Sequence, residues 1–349
     1  MCNYELAEKI RNRALELGFD GCGIVKLDAL REFESMLDER IEACPDSKPM
    51  LEVIRKYAAP EKTYEWAKSV VVCITRYGKY KIPEELQGLI GKYYLYDHKL
   101  QPDSKVNESI TQFEKYLDVL GIKAARELHG VTSARWAAFK AGLGIIRKNN
   151  FLYTKHGSWV IIDTWVIDHE LEWTETPDVE PCPDNCDRCI TACPTNALSK
   201  PYCTDMASCI TRLTWGVKNL VPDTLSEKMG GWIYGCDKCQ DACPRNKNTW
   251  VEETESPGLS GLGEKIPLPQ ILSMDDKTIK EVLLPKFWFI QPDNFWLWKV
   301  NALRAMTNAF KPEYREYILN AANDENEKVR KMALWSLEKT AILNQHSSL

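Results

Sequence analysis

Two short stretches decide the fold: CPDNCDRCITACP at residues 182–194 and YGCDKCQDACP at residues 234–244. Each contains the pattern C-x2-C-x3-C-P, and Cys209 lies between the two stretches. Together with Cys209 they supply eight of the 13 cysteines in the chain. Closely spaced cysteines that end in Cys-Pro are typical of loops that bind a metal cofactor through thiolates.

The repeated pattern has the spacing of two-cluster bacterial ferredoxins, in which the cysteine before proline binds the other cluster. The sequence therefore predicts two 4Fe–4S clusters with exchanged ligands. The predicted ligands are Cys182, Cys186, Cys189 and Cys243 for the first cluster, and Cys193, Cys209, Cys236 and Cys239 for the second. The first stretch has three residues between Cys182 and Cys186, so we expect its loop to bulge by one residue.

Two other uses of these cysteines compete with the cluster hypothesis. C-x2-C pairs also bind zinc, and cysteine-rich chains can form a disulfide framework. The doubled C-x3-C-P and the odd total of 13 cysteines favour clusters over both. The other five cysteines are scattered along the chain: Cys2, Cys22, Cys44, Cys73 and Cys203. Cys22 and Cys73 lie in apolar, strand-like stretches, where we expect small buried side chains.

Composition describes an ordinary globular protein of 349 residues, with 44% hydrophobic and 27% charged residues. That length suits two or three domains with cores of their own. The net charge of −5 gives no overall attraction to nucleic acid. No apolar signal segment or membrane-spanning stretch is predicted. Because cluster ligands are thiolates, we expect a reducing, cytoplasmic location.

Helical and strand patterns alternate up to about residue 170, which predicts an α+β protein. A helix over 5–17 is expected to end at Gly18, and the segments 19–27 and 67–77 read as strands. An amphipathic helix is predicted to begin at residue 109, and a small-residue helix over 133–144 to end in a glycine turn. Residues 151–168 predict two strands around a turn at His156-Gly157. The aromatic and polar segment 91–100 is typical of a pocket wall, with a surface helix as the alternative.

The chain divides on these patterns into three parts: residues 1–175, a ferredoxin-like double-cluster domain at 176–254, and a linker with a helical tail at 255–349. In the tail, predicted helices at 294–310, 314–322 and 329–339 surround an acidic turn at 323–326. This order is similar to one HEAT repeat. A single repeat cannot bury its own apolar face, so we expect it to dock on the rest of the protein.

Several motifs, taken in order, resemble the epoxyqueuosine reductase family. They are AGLG at 141–144 with Lys148-Asn149, GSW at 157–159, Cys209-Ile210, YGCDKCQDACP at 234–244, and the HEAT-like tail. The resemblance implies a nitroreductase-like first domain that holds base-off cobalamin beside one cluster. It also implies that ferredoxin or flavodoxin supplies electrons. The residues that it places against cobalamin are Gly142, Gly144, Lys148, Asn149, Gly157 and Ser158.

Two departures from the family pattern bear on the chemistry. The family has an aspartate in Val-Asp-Ser-x-Pro-x-x-Glu as its proton donor, whereas residues 127–134 read ELHGVTSA. Arg147 also replaces a family glycine. The candidates for the missing acid are Asp97, His98 and Glu127, with His129 as a further possibility, because histidine titrates near neutrality and a neighbouring carboxylate tunes it.

The sequence thus predicts an iron–sulfur, cobalamin-dependent reductase that acts on queuosine-tRNA or on a small substrate. An electron-transfer protein, or a reductase of another protein's corrinoid, is the alternative. Residues 324–331 mix acidic and basic side chains, whereas phosphate binding needs clustered positive charge. The sequence therefore favours a small molecule or a corrinoid protein over tRNA, and predicts inefficient reduction of epoxyqueuosine.

Overall fold

The structure is a computed structural model that describes residues 2–96, 98, 104–128, 130–255, 259 and 261–346, with side chains up to residue 341. Its strands are β1 (Gly21–Lys26), β2 (Ser69–Arg76), β3 (Ala124–Ala125), β4 (Ile145–Ile146), β5 (Leu152–Tyr153), β6 (Val160–Ile167), β7 (Leu198–Lys200) and β8 (Cys203–Thr204). In the first half of the chain, the α-helices are α1 (Asn3–Glu16), α2 (Leu27–Ala43), α3 (Lys48–Ile54), α4 (Lys92–Tyr96), α5 (Lys105–Val119) and α6 (Ala134–Lys140).

Short helices dominate the middle of the chain, and longer ones follow at its end. They are α7 (Arg188–Thr191), α8 (Ile210–Trp215), α9 (Asp223–Ser226), α10 (Lys238–Asp241), α11 (Leu262–Lys265), α12 (Leu268–Ser273), α13 (Asp276–Val282), α14 (Trp296–Asn308), α15 (Tyr314–Ala321) and α16 (Glu327–His346). Turns of 3-10 helix cover Pro45–Ser47, Arg55–Ala58, Pro60–Lys62, Glu84–Leu86, Glu227–Met229, Pro244–Asn246 and Pro292–Asn294. The mixed α/β character expected from the sequence is confirmed.

A four-stranded antiparallel sheet with the order β1-β2-β6-β3 organises the first half of the chain. β2 is almost wholly buried because α1 and α5 cover one face of the sheet and α2 and α6 cover the other. β-Branched residues dominate this strand, as expected for one buried on both faces. Gly18 follows α1 with φ of +94°, which confirms it as the predicted end of that helix.

The predicted turn at His156-Gly157 is present, closed by a bridge between Thr154 and Gly157. The strand before it differs from expectation, because β5 pairs backwards with β4 and not with β6. The resulting β4–β5 hairpin spans residues 145–153. It carries Arg147, Lys148 and Asn149 in its loop and reaches the cysteine-rich segment.

Each C-x2-C pair spans the start of a one-turn helix, and the two turns repeat the same backbone pattern. The amide of Ile190 donates to Asp187 O at 2.8 Å, and the amide of Gln240 donates to Asp237 O at 2.8 Å. We call residues 187–196 the first motif and residues 237–246 the second motif. The proline after each motif's last cysteine therefore follows an equivalent turn in both copies.

The helical tail packs together with a segment from the first half of the chain. Tyr77, Ile90 and Tyr96 share one apolar core with Trp298 and Leu303 of α14. The predicted division at residues 175 and 255 thus does not coincide with the boundaries of this core. The comparison of the tail with a HEAT repeat stays a prediction. Among the residues that the structure describes, no helix has the length and apolar character of a membrane span.

Two of the scattered cysteines are joined. Cys44, after α2, and Cys203, in β8, form a disulfide across a sequence separation of 159 residues. The scattered positions of these cysteines in the sequence did not indicate this pair, because folding brings the two distant segments together. Cys22 and Cys73 are buried as predicted and lie opposite each other in β1 and β2.

Candidate iron–sulfur site

The four predicted ligands of the first cluster line one cavity of about 190 Å³. Most other side chains around it are cationic or belong to the β4–β5 hairpin: Arg147, Lys148, Asn149, Arg188 and Arg245. The pKa of Cys189 is raised to about 11 by burial and by the neighbouring thiolates of Cys243, Cys182 and Cys186. These four thiols therefore lie close enough to act on one another's charge, as the ligands of one cluster would.

The predicted ligands of the second cluster influence one another in the same way. Burial raises the pKa of Cys209, Cys236 and Cys239 above the usual value for a thiol. The charge of Cys193 adds to this effect on Cys209 and Cys236. Because iron binds the thiolate, loading such a site displaces protons. In the described part of the chain, no three His, Cys, Asp or Glu side chains converge as the ligands of a single metal ion would.

Two side chains of the hairpin contact cysteines of the first set. Arg147 is 2% exposed, and its Nη1 donates to Cys182 Sγ at 3.5 Å while its Nη2 donates to Glu180 O. Its guanidinium lies over the Tyr153 ring, 5.1 Å from the centroid. Burial raises the pKa of Tyr153, and a hydrogen bond with Cys243 raises it further. The phenol therefore stays protonated beside this cysteine.

Lys148, predicted to contact cobalamin, instead caps the loop between the first two cysteines. Its Nζ donates to Pro183 O at 2.8 Å, Asp184 O at 2.8 Å and Cys186 O at 3.0 Å. Three carbonyl groups that point at one ammonium account for the additional residue in this loop. The expected bulge therefore has a partner that sequence spacing did not reveal.

Asn149 and Ser158, two more predicted cobalamin contacts, join the hairpin and β6 to the second motif. Asn149 Nδ2 donates to Cys239 O at 3.1 Å. Ser158 Oγ donates to Gln240 Oε1 at 2.8 Å, and its amide donates to Asn246 Oδ1 at 2.8 Å. Both side chains are buried, and their hydrogen bonds are formed with other groups of the protein.

The three predicted cobalamin glycines also face protein. A Cβ on Gly142 would lie 1.7 Å from Glu175 O, and one on Gly144 would lie 2.4 Å from Tyr153 O. A Cβ on Gly157 would lie 2.5 Å from Asn246 Oδ1. At each glycine, the group that approaches closely belongs to the chain itself. The contacts described for these six residues are therefore to other parts of the chain, and their contact with cobalamin stays a prediction.

A second cavity, of about 300 Å³, lies on the other side of Cys243 and Pro244. Its walls combine aromatic, cationic and acidic side chains, among them Trp159, Trp250, Lys92, Arg188, Lys247 and Asp241. The ammonium of Lys92 lies 4.4 Å from the centre of the Trp159 ring and pairs with Asp241. Sequence reasoning placed Lys92 in a possible pocket wall at 91–100, but it missed Trp250.

Beside this cavity, the second motif contains a buried carboxyl group. Asp237 is 2% exposed, and its Oδ2 accepts from the amide of Lys92 at 2.7 Å. Burial raises the pKa of Asp237 to about 7, although the charge of Lys92 opposes the shift. Sequence reasoning did not single out this residue, since an aspartate in a cysteine loop is ordinarily exposed.

The predicted acid–base residues fall in different places. His98 is 2% exposed, and its Nε2 lies 3.3 Å from Asp163 Oδ2. Arg126 Nη1 lies 3.6 Å from the other oxygen of Asp163. Glu127 instead accepts from the Tyr64 hydroxyl at 2.8 Å, whereas Asp97 and His129 lie outside the described residues. Asp163 was missed, although a lone aspartate in the apolar strand VIIDTWVI signals a buried polar partner.

A family model described as "4Fe-4S double cluster binding domain" matches residues 182–246. An epoxyqueuosine reductase of Leadbetterella byssophila is 33% identical over 255 residues, which cover 72% of this chain and 83% of the relative. The epoxyqueuosine reductase of Escherichia coli is 30% identical over 277 residues, which cover 72% and 69%. Both relatives match across the cysteine-rich segment and well beyond it.

Solved structures share the fold. A crystal structure of an epoxyqueuosine reductase with a tRNA-Tyr epoxyqueuosine-modified stem loop has a TM-score of 0.78 at 24% identity, covering 97% of this chain and 91% of that one. The enzyme of Streptococcus thermophilus has a TM-score of 0.78 at 22% identity, covering 97% and 90%. With the curated relatives matched over most of their length and the double-cluster segment in place, this iron–sulfur oxidoreductase belongs to the epoxyqueuosine reductase family.

Proposed function

We propose that this protein reduces epoxyqueuosine in tRNA with electrons delivered through its two 4Fe–4S clusters. The curated relatives carry that activity in their name, and one solved relative is bound to a modified tRNA stem loop. In the reaction, both epoxide C–O bonds break and a carbon–carbon double bond forms. Two electrons and two protons are taken up, and the oxygen leaves as water. The comparisons thus revise the preference for a small molecule or corrinoid protein over tRNA.

The observation that carries this proposal is that the two cavities share Cys243, Pro244 and Arg188. A reactant in the 300 Å³ cavity would therefore lie beside a predicted ligand of the first cluster. Electron transfer is favoured by such proximity. The cluster assignment itself rests on the grouping of the thiols described above.

The walls of that cavity suit part of a nucleotide. Single-stranded RNA loops are recognised by aromatic rings that stack on bases and by cations that pair with phosphates. The half-buried Trp250 supplies a ring, and Arg188 and Lys247 supply cations at the same opening. Because the whole chain carries a charge of −5, binding of tRNA depends on local groups of this kind.

Among the acid–base candidates that the structure describes, His98 is the one that we propose as the proton donor. The carboxylate of Asp163 lies 3.3 Å from its Nε2 and can orient the ring. Glu127 stays a prediction as an alternative donor, although its described partner is Tyr64. Replacement of His98 by glutamine, which keeps hydrogen-bonding groups, should lower turnover with little effect on tRNA binding if His98 delivers the proton.

Cobalamin stays a prediction from the family resemblance. The cavities of about 300 and 190 Å³ lie at or below the lower end of the roughly 300–1,000 Å³ typical of pockets for drug-sized ligands. A corrin with its nucleotide tail is larger than such ligands. Reconstitution with cob(II)alamin, followed by gel filtration and absorbance, decides the question: co-elution of corrin bands supports binding, and their loss rejects it.

The function is tested with protein whose clusters are reconstituted without oxygen. It is incubated with an epoxyqueuosine-containing tRNA stem loop and reduced viologen, which replaces the predicted ferredoxin or flavodoxin donor. We expect queuosine to appear among the digested nucleosides by mass spectrometry. The same assay is run with and without cobalamin, with the Escherichia coli enzyme as positive control. Absence of queuosine under every condition in which that control is active would reject the proposal.

A further inference from the structure

We propose that Arg147 and Tyr153 raise the reduction potential of the first cluster above that of the second by donating hydrogen bonds to two of its cysteine ligands. The inference rests on the proposed assignment of Cys182, Cys186, Cys189 and Cys243 to the first cluster. It does not depend on the substrate. The two residues lie on the β4–β5 hairpin, outside the cysteine-rich segment that supplies the ligands.

Arg147 provides the stronger of the two contacts. Its Nη1 lies 3.5 Å from Cys182 Sγ, and the side chain is 2% exposed. Glu180 O accepts from Nη2, and the Tyr153 ring lies beneath the guanidinium. These contacts fix the orientation of the guanidinium group, while its Nε has no hydrogen-bond partner among the described residues. A buried guanidinium cannot lose its proton, so its positive charge is a permanent part of the site.

Tyr153 contacts the opposite end of the ligand set. Its ring is wholly buried, and its hydroxyl lies near the thiol of Cys243, which contributes to the raised pKa of the phenol. Asn149 Nδ2 donates to the same hydroxyl oxygen at 2.9 Å. Asn149 thus occupies an acceptor position on that oxygen, which leaves the O–H of Tyr153 available for the cysteine sulfur.

The direction of the effect follows from charge. A cluster gains one electron on reduction, so nearby cations and hydrogen bonds to its sulfurs stabilise the reduced form more than the oxidised form. Hydrogen bonds to sulfur, net charge and solvent exposure are the factors by which proteins set cluster potentials. In a buried site these interactions are screened less than in water. Arg147 and Tyr153 therefore favour reduction of the first cluster.

The second set of cysteines has different neighbours. The buried carboxyl of Asp237 lies between Cys236 and Cys239 in the chain, where a negative charge opposes the addition of an electron. The hydrogen bonds to this set come from neutral groups, such as the Lys238 amide, which donates to Cys236 Sγ at 3.5 Å. Arg304, a buried cation of the tail, donates its hydrogen bonds to Trp232 O and Met229 Sδ.

The full-length protein with both clusters is titrated with a low-potential one-electron reductant, without substrate, and each cluster is followed by EPR. Each step adds one electron to a cluster and oxidises one reductant molecule. We expect two distinct midpoints. The midpoint that Asp237→Asn moves belongs to the second cluster. Arg147→Leu should lower the other midpoint by at least a tenfold change in the reduction equilibrium, about 59 mV for one electron.

Three further variants separate this inference from simpler explanations. Tyr153→Phe keeps the ring and should lower the same midpoint by a smaller amount. Arg147→Lys keeps the charge and should fall between wild type and Arg147→Leu. Arg245→Gln is the matched control, because Arg245 lines the same cavity but pairs with Glu180 at the surface; it should shift the midpoint little.

The result that overturns the inference is a first-cluster midpoint that stays fixed in Arg147→Leu and Tyr153→Phe, or one that moves equally in Arg245→Gln. If Arg147→Leu fails to load the first cluster, Tyr153→Phe and Arg147→Lys decide the matter, since both preserve most of the packing. Because potentials are measured without tRNA, this inference can fail while the proposed function stands, and the reverse.

Discussion

The two cysteine motifs share one backbone pattern but occupy opposite environments. Asp187 and Asn196 of the first motif are exposed, whereas their counterparts Asp237 and Asn246 in the second motif are buried. Residues of both motifs line the cavity with several cations, but only the second motif also forms hydrogen bonds with Lys92, Asn149 and Ser158 from the first half of the chain. The spacing of the cysteines therefore determines their positions within each motif. The rest of the chain determines which groups contact each motif and which charges surround it.

The largest expected effect comes from removal of a cysteine in each motif. Cys189→Ala and Cys239→Ala should each lower iron and sulfide from about eight to about four per chain, because each cysteine serves one predicted cubane. The second substitution should also lower the melting temperature more, since its motif is buried. Equal melting temperatures in the two variants would remove the contrast between the motifs. Stoichiometric zinc in the wild type would reject the clusters.

The disulfide connects the segment around the first motif to the first half of the chain. Cys203 follows the first motif, so its bond to Cys44 ties this segment to the end of α2. A cross-link over so long a loop contributes about 5 kcal/mol to the free energy of unfolding in the loop-entropy treatment. Replacement of both cysteines by serine should remove most of it, as measured by denaturant unfolding.

For this disulfide variant, the loss should be matched in wild-type protein treated with a thiol reductant. A variant as stable as wild type would mean that the cross-link does not stabilise the segment around the first motif. Cys2→Ser is the control, because Cys2 is exposed at the start of α1. Its replacement should leave the free energy of unfolding unchanged.

Paired Asn→Asp substitutions compare the same position in the two motifs. Asn246 Nδ2 donates to Ser158 Oγ and Gln240 O, both at 2.8 Å. Asn246→Asp removes these donors and places a charge against a buried carbonyl, which should cost about 3 kcal/mol of unfolding free energy. Asn196→Asp changes an exposed side chain and should cost less than about 0.5 kcal/mol. Similar losses in both variants would contradict the difference in environment.

The smallest effect is expected at Lys148. Lys148→Met keeps much of the side-chain length but removes three hydrogen bonds to the loop between Cys182 and Cys186. Because this residue is partly solvated, we expect a stability loss of about 1 kcal/mol and faster loss of the first cluster in air. The decay of cluster absorbance measures it. Unchanged decay would show that the loop is held without this residue.

Sequence reasoning succeeded where the determinants are local. The cysteine spacing anticipated the grouping of the thiols around the first cavity, and the patterns of α1 and β2 anticipated those elements. It did not anticipate contacts between distant segments. The pairing of His98 with Asp163 and the bond between Cys44 and Cys203 depend on tertiary folding.

The predicted cobalamin residues show the same limit in another form. The family resemblance placed Gly144 against cobalamin, but the sequence does not say which group approaches this glycine, and in the structure Tyr153 O does so. The family resemblance indicated Lys148 as a cofactor contact, whereas its ammonium binds carbonyl groups of a distant loop. A residue type indicates the kind of contact it can make, and the fold selects its partner.

The core shared by residues 77–96 and the tail has a consequence for biosynthesis. Tyr77, Ile90 and Tyr96 leave the ribosome early, but Trp298 and Leu303, which cover them, are added about 200 residues later. At roughly 5–20 residues per second, that interval lasts about 10–40 s. During this time the apolar side chains of the early segment lack their final partners, so the nascent chain offers a binding site to chaperones. Translation that stops before α14 would leave this segment exposed for good.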